Sequence, residues 1–326
     1  MAQTKVAVGI DIGGTNTAFG FVSNDGKIIH ESSIPTNSHE KAEMLFERLF
    51  SNINKDYKKF SESHELIGIG IGAPNANYYK GTVETPPNLN WGTVNVLEIV
   101  KKHSPLPSAI TNDANAAAIG EMLFGAAKGM KNFIIITLGT GLGSGIVVNG
   151  ELVYGADGFA GELGHTIVKP NGRECGCGRK GCLEAYTSAP GIRRTVYKLI
   201  SSTNTPSELR SICFDKLTSK DVADAANRGD KLALDAFDYT AKILGQKFAD
   251  FVAFSSPEAI ILFGGLALAG DLIIKPTKKY MEESMLNIFK NKVKIIPSAL
   301  PGGNAAVLGA SALIWNELKK KETENK

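Results

Sequence analysis

Apolar runs broken by glycine turns recur along this chain. Val6-Ala-Val-Gly-Ile-Asp-Ile12 has the length and content of a strand, and Gly13-Gly14-Thr15-Asn16 reads as a turn. Thr17 to Val22 forms a second strand pattern. Asn24-Asp25-Gly26-Lys27 is a hairpin signal leading into a third, Ile28 to Ser33. Between His39 and Phe60, apolar Met44, Leu45, Leu49, Phe50, Ile53, Tyr57 and Phe60 fall on one face at helical spacing. Leu66 to Ile71 and Ser108 to Asn112 read as buried strands, and an Ala-rich helix follows from about Asn115 to Ala127.

The pattern then starts again. Phe133 to Leu138 is a strand, Gly139-Thr-Gly-Leu-Gly143 a glycine turn, Ser144 to Val148 a strand and Asn149-Gly150 a hairpin signal. Asp25 and Asn149 lie 124 positions apart, and Asp11 and Thr137 lie 126 apart. This is a weak internal duplication, and it predicts two related halves with a ligand cleft between them. The second half continues with an irregular segment, Glu151 to Ala189, and then several helices. Thr218-Ser-Lys-Asp221 is a capping box at the start of one of them, and Leu232 to Phe254 is a long one. Ala259 to Phe263 and Lys292 to Ile296 are the remaining strands. Gly302-Gly303-Asn304 opens a final helix to about Leu318. We expect an α/β chain with a domain boundary near residue 120. Residues 1–120 form the first domain, rejoined by the C-terminal helix at about 304–326, and residues 121–303 form the second.

Composition narrows the function classes. The chain has 326 residues, 43% of them hydrophobic, enough for two cores. A net charge of +3 with interspersed signs gives no footprint for nucleic acid. No apolar run approaches a membrane span and no secretory leader pattern opens the chain, so a cytoplasmic protein is expected. In that setting four cysteines do not suggest a disulfide framework.

Three of the cysteines lie within eight positions. With His165 they read H-x9-C-x-C-x4-C: His165, Cys175, Cys177 and Cys182. Three sulfurs and one nitrogen make a closed tetrahedral set, which suits structural Zn²⁺. Gly176, Gly178 and Gly181 permit tight wrapping. Arg173, Arg179 and Lys180 are expected to offset the thiolate charge. Cys213 stands apart and reads as an ordinary apolar residue.

The glycine turns suit phosphate, because glycine lets backbone N–H groups approach anionic oxygens closely. Asp11, just before the first turn, is placed to hold Mg²⁺ through water, and Thr15 and Thr140 can donate to phosphate. There is no Walker A loop. Gly68-Ile-Gly-Ile-Gly-Ala73 matches a dinucleotide string, but it lies inside a strand run and Pro74 follows where a helix should begin. Asn112-Asp113 after a strand reads either as a helix N-cap or as a general base facing a ligand. Glu162 and Glu184 offer carboxylates for vicinal hydroxyls.

Asp11-Ile-Gly-Gly-Thr15, Thr137-Leu-Gly-Thr-Gly-Leu-Gly143 and the His/Cys segment together resemble the ROK family of repressors, open reading frames and sugar kinases, over essentially the whole chain. The resemblance implies a two-domain, actin-like (ribonuclease-H-like) ATPase fold with an interdomain cleft and a zinc segment at 162–184. It implies ATP between the two glycine turns, with Gly13, Gly14, Thr15, Asn16, Thr140 and Gly141 at the phosphates and Gly264-Gly265 against the nucleoside. It selects Asp113 as the base. It places Asn112, Glu162, His165 and Glu184 on the sugar, and Asn88 there through the loop Pro86-Pro87-Asn88-Leu89-Asn90-Trp91. Family glucokinases often carry glycine where Asn90 stands, which loosens the sugar assignment. The expected activity is phosphorylation of a hexose, first glucose, at its primary hydroxyl. N-acetylmannosamine, N-acetylglucosamine, fructose and mannose are alternatives, and a homodimer or tetramer is implied. Two rival readings are a sugar-responsive repressor, for which the Asp11 loop leaves no room upstream for a DNA-reading module, and a silent sugar-binding protein.

Overall fold

The computed structural model describes residues 3–301 and 305–324. The expected helix opening at Gly302-Gly303-Asn304 lies outside them. The chain divides into two compact units. The first comprises Met1–Gly129, Leu152–Ala160 and Ala299–Lys326, and the second Met130–Glu151 and Gly161–Ser298.

In the first unit β1 (Thr4–Ile12), β2 (Asn16–Ser23), β3 (Ile28–Pro35), β4 (His64–Gly72) and β8 (Ser108–Thr111) make one sheet in the order β3-β2-β1-β4-β8. β1, β2 and β3 run as antiparallel neighbours, while β4 is parallel to both β1 and β8. A small antiparallel sheet of β5 (Ala76–Asn77), β6 (Thr82–Glu84) and β7 (Thr93–Asn95) was not signalled by the sequence, because its strands are two or three residues long.

Strand alternation sorts the side chains. Val8, Ile10, Ile12, Ile69 and Ile71 join a core with α1 (Ala42–Tyr57) and α2 (Val96–His103). Met44, counted on the apolar face of α1, is instead 52% exposed. The opposite parity, Ala7, Gly9, Gly68 and Gly70, faces the C-terminal helix Ala305–Glu324. A β-carbon on Gly9 would lie 2.1 Å from the Val307 carbonyl oxygen, and one on Gly70 would lie 1.9 Å from that of Ala310. The Gly68-x-Gly70 spacing therefore serves close packing of a helix on a sheet and has no dinucleotide to cradle. The Ala-rich helix α3 (Asp113–Phe124) packs beside the C-terminal helix and begins two residues earlier than expected. Asn112 is thus its N-cap and not the end of a strand.

The second unit repeats the plan. β9 (Phe133–Leu138), β10 (Leu142–Val148), β11 (Glu151–Leu152), β12 (Ala259–Phe263) and β13 (Lys294–Pro297) lie in the order β11-β10-β9-β12-β13, with β10 antiparallel to β9 and β12 parallel to both β9 and β13. Strand for strand this is the order of the first sheet. Asn149 and Gly150 both take positive φ, as a tight hairpin of right-twisted strands demands. The segment expected to be irregular contains α4 (Glu184–Thr187), and α5 (Ala189–Ser202) follows directly. α6 (Ser219–Asn227) begins at Thr218 with the full capping box to Asp221. α7 (Lys231–Ser255) and α8 (Asp271–Ser284) cross closely at Gly245, whose β-carbon would lie 2.5 Å from the Thr277 carbonyl oxygen. Cys213 is exposed, contrary to its apolar reading.

Candidate active site and metal centre

In the first unit the parity of β1 decides where its carboxylate goes. Asp11 shares the face of Ala7 and Gly9, so it leaves the strand on the side of α3. A β-carbon at Gly72 would come within 3.7 Å of Asp11 Oδ1 and 3.6 Å of the Ala116 methyl. Gly72, at the end of β4, therefore lies between Asp11 and the first turn of α3, at ordinary contact distance from both. There the Asn112 side chain accepts from Asn115 N–H at 2.7 Å, and Asp113 Oδ1 accepts from Ala114 N–H at 2.9 Å. The local reading of Asn112 as a cap and the functional reading of Asp113 are compatible, because the cap fixes the backbone that carries Asp113.

Asp113 meets solvent, yet protein crowds round it, and burial raises its pKa. Burial also raises Asp11, with the negative charge of Asp113 adding to the effect, to about 6. A carboxylate whose ionisation is opposed by burial and by a second carboxylate sits in the environment a divalent cation relieves. The donor set at Asp11 therefore fits Mg²⁺.

The first glycine turn is closed by Gly13 N–H donating to the Asn16 carbonyl at 3.1 Å. Thr36, unremarked in the sequence, holds it. Its hydroxyl donates to the Gly13 carbonyl at 2.7 Å, and its N–H donates to the Thr15 carbonyl at 2.9 Å. Thr36 lies 21 positions after Thr15, at the end of β3, so only strand pairing brings it there. Asn88 packs on the turn, and a β-carbon on Gly14 would lie 2.8 Å from its own. The loop around it is pinned by buried Leu89 and by buried Trp91, whose Nε1–H donates to the Glu40 carbonyl at 3.0 Å.

In the second unit the turn Gly139–Gly143 is held at several points. Gly143 N–H donates to Thr137 Oγ1 at 3.0 Å, and Leu142 N–H donates to Glu184 Oε2 at 2.8 Å. Thr140 is exposed at its tip. Gly264 takes φ +98° with a hypothetical β-carbon 2.7 Å from the Leu138 carbonyl oxygen, so Gly264-Gly265 lies against the end of β9 beside this turn.

The His/Cys segment folds into a compact cluster. One ligand atom each from His165, Cys175, Cys177 and Cys182 lies within 4.8 Å of every other. Cys177 Sγ and Cys182 Sγ are 3.7 Å apart, as are Cys175 Sγ and His165 Nδ1. Tetrahedral zinc with bonds of about 2.3 Å to sulfur and about 2.0 Å to nitrogen sets such separations at about 3.5–3.8 Å. The four residues therefore fit Zn²⁺. With Nδ1 on the cluster, His165 turns Nε2 toward Glu162, 3.9 Å away. Two of the expected cations serve elsewhere. Arg173 donates to the carbonyls of Ala185 and Gly191 and to Thr195 Oγ1, with its guanidinium over the Tyr186 ring. Lys180 pairs with Glu174 at 3.4 Å. Both ends of that pair are exposed, so it contributes little.

Of the proposed site residues, Asp11, Gly13, Gly14, Thr15, Asn16, Asn88, Asn112 and Asp113 belong to the first unit. Thr140, Gly141, Glu162, His165, Cys175, Cys177, Cys182, Glu184, Gly264 and Gly265 belong to the second.

The family model described as "ROK family" matches residues 7–317. A glucokinase from Halalkalibacterium halodurans is 36% identical over 98% of this chain and 97% of its own. A xylose repressor from Caldicellulosiruptor bescii is 32% identical over 95% of this chain and 78% of its own. The crystal structure of a ROK family glucokinase from Streptomyces griseus, in complex with glucose and AMPPNP, superposes with a TM-score of 0.78 at 33% identity, covering 94% of this chain and 98% of that one.

Proposed function

The chain belongs to the ROK family and has its actin-like fold, and on that footing we propose that it transfers the γ-phosphoryl group of ATP to the primary hydroxyl of a hexose, glucose first. The observation that carries this is Asp113. It stands at the N-terminus of a capped helix, open to solvent, and near enough to Asp11 for its charge to oppose that residue's ionisation.

In this reading the sugar's 6-hydroxyl lies against Asp113, which takes its proton as the oxygen attacks phosphorus. A positioned base of this kind contributes about 10²–10⁴-fold. The raised pKa makes Asp113 a better proton acceptor than an ordinary aspartate. Gly13, Gly14, Thr15 and Asn16, with Thr140 and Gly141, hold the phosphates through backbone and hydroxyl donors, and Gly264-Gly265 lies along the nucleoside. Mg²⁺ at Asp11 would neutralise charge developing on the phosphoryl oxygens. Asn88, Asn112, Glu162, Glu184 and His165 Nε2 would read the sugar hydroxyls. Zn²⁺ on His165, Cys175, Cys177 and Cys182 would order that segment.

The 36%-identical glucokinase favours glucose among the acceptors. The xylose repressor supports a second reading, a sugar sensor. Within the described residues no helix is long and apolar enough to cross a membrane, which accords with the cytoplasmic setting proposed here. A homodimer or tetramer is proposed on family grounds and is read by light scattering. The deciding experiment measures ADP release from Mg-ATP with glucose, mannose, fructose, N-acetylglucosamine and N-acetylmannosamine on zinc-loaded protein. Turnover with glucose far above the rest supports the proposal. No turnover, together with calorimetric sugar binding, moves it to the sensor.

A further inference from the structure

The carboxylate of Glu184 touches more than a sugar-reading group needs to. Its Oε2 accepts from Leu142 N–H at 2.8 Å, inside the second glycine turn. A β-carbon at Gly141 would lie 2.6 Å from that same oxygen, so the contact exists only because residue 141 is glycine. Its Oε1 lies 3.3 Å from Cys175 Sγ, in the metal cluster. The same segment grips the turn at two further points. Ala189 N–H donates to the Gly139 carbonyl at 2.9 Å, and a β-carbon on Gly164, beside His165, would lie 2.2 Å from the Leu142 carbonyl oxygen. The strand that carries the turn supplies neither of the groups that fix Gly139 and Leu142 here. Both come from residues just after Cys182, the last of the four candidate metal ligands.

We propose that Glu184 is a positioning residue for nucleotide binding. By holding Leu142 N–H it fixes Gly139–Gly143 in the shape that meets phosphate, so the carboxylate assigned to a sugar hydroxyl also sets the affinity for ATP. This rests on the kinase reading above. Hydrogen bonds to charged acceptors are the strong ones, and losing this one frees Leu142 N–H while Thr137 and Ala189 still hold the ends of the turn, so the ligand must order its middle.

The test is calorimetric binding of Mg-AMPPNP to zinc-loaded protein without sugar, with zinc content checked in every sample. Glu184→Ala removes the acceptor and should weaken binding about tenfold. Glu184→Gln keeps an oxygen for Leu142 N–H and should stay within about twofold of wild type. Glu184→Asp keeps the charge and all four metal ligands but withdraws the carboxylate from Leu142 N–H, and should weaken binding as Glu184→Ala does. It decides the matter if Glu184→Ala fails to fold. Wild-type affinity in Glu184→Ala, or equal losses in the alanine and glutamine variants, overturns the proposal alone. Wild-type protein that ignores Mg-AMPPNP overturns the kinase reading and this proposal with it.

Discussion

Replacing Asp11 by Asn should stabilise the ligand-free protein and disable it at once. In the folded chain Asp11 titrates at about 6 against an ordinary 3.8, because burial and the neighbouring charge of Asp113 both oppose its ionisation. Below the ordinary value both folded and unfolded chains hold the proton, and Asp11 costs nothing. Between 3.8 and about 6 the folded chain keeps a proton that the unfolded chain has released, so stability falls as pH rises. Above about 6 the cost is complete. A shift of about two units corresponds to about 3 kcal/mol at most. Solvent reaching the site, and the share that belongs to Asp113, reduce it to roughly 1–3 kcal/mol. The chain's two tryptophans, Trp91 and Trp315, both lie in the first unit with Asp11, so selectively excited tryptophan fluorescence in urea reports that unit. The Asn variant's advantage over wild type should be near zero at about pH 4, grow through pH 6 and then level off. An advantage independent of pH, or a less stable variant at neutral pH, would refute the argument.

Asp113→Asn should lower kcat by about 10²–10⁴-fold with sugar affinity largely kept, and near-normal turnover removes Asp113 from the role of base. Cys177→Ser should drop zinc below one per chain by elemental analysis and expose residues 162–184 to limited proteolysis. A variant that retains zinc and resists the protease contradicts the four-ligand cluster. Gly70→Ala should destabilise the first unit by about 1–3 kcal/mol or more, read by the same fluorescence, since its new carbon starts 1.9 Å from the Ala310 carbonyl oxygen. An unchanged midpoint would mean the C-terminal helix gives way freely.

Short-range signals were legible in the sequence because they depend on neighbours a few residues apart. The strand Ala259–Phe263, the hairpin at Asn149-Gly150 and the capping box at Thr218 are set by local dihedral and hydrogen-bonding preferences. The four candidate metal ligands were legible for the same reason, since their spacing confines them to one small segment. Even there, proximity along the chain misled. Arg173 lies two residues from Cys175 and turns to helix carbonyls, because a half-buried guanidinium goes where the acceptors are. The duplicated sheet was legible as a repeated pattern, though its strand order was not. What only the tertiary structure decided are contacts between residues distant in sequence: Thr36 on the first glycine turn, Glu184 on the second, and Gly68 and Gly70 clearing the sheet for a helix some 240 residues later. Such contacts depend on strand parity and packing distance, which a local run of side chains does not encode. The sequence by itself named the chemical groups, and the fold determined which of them meet.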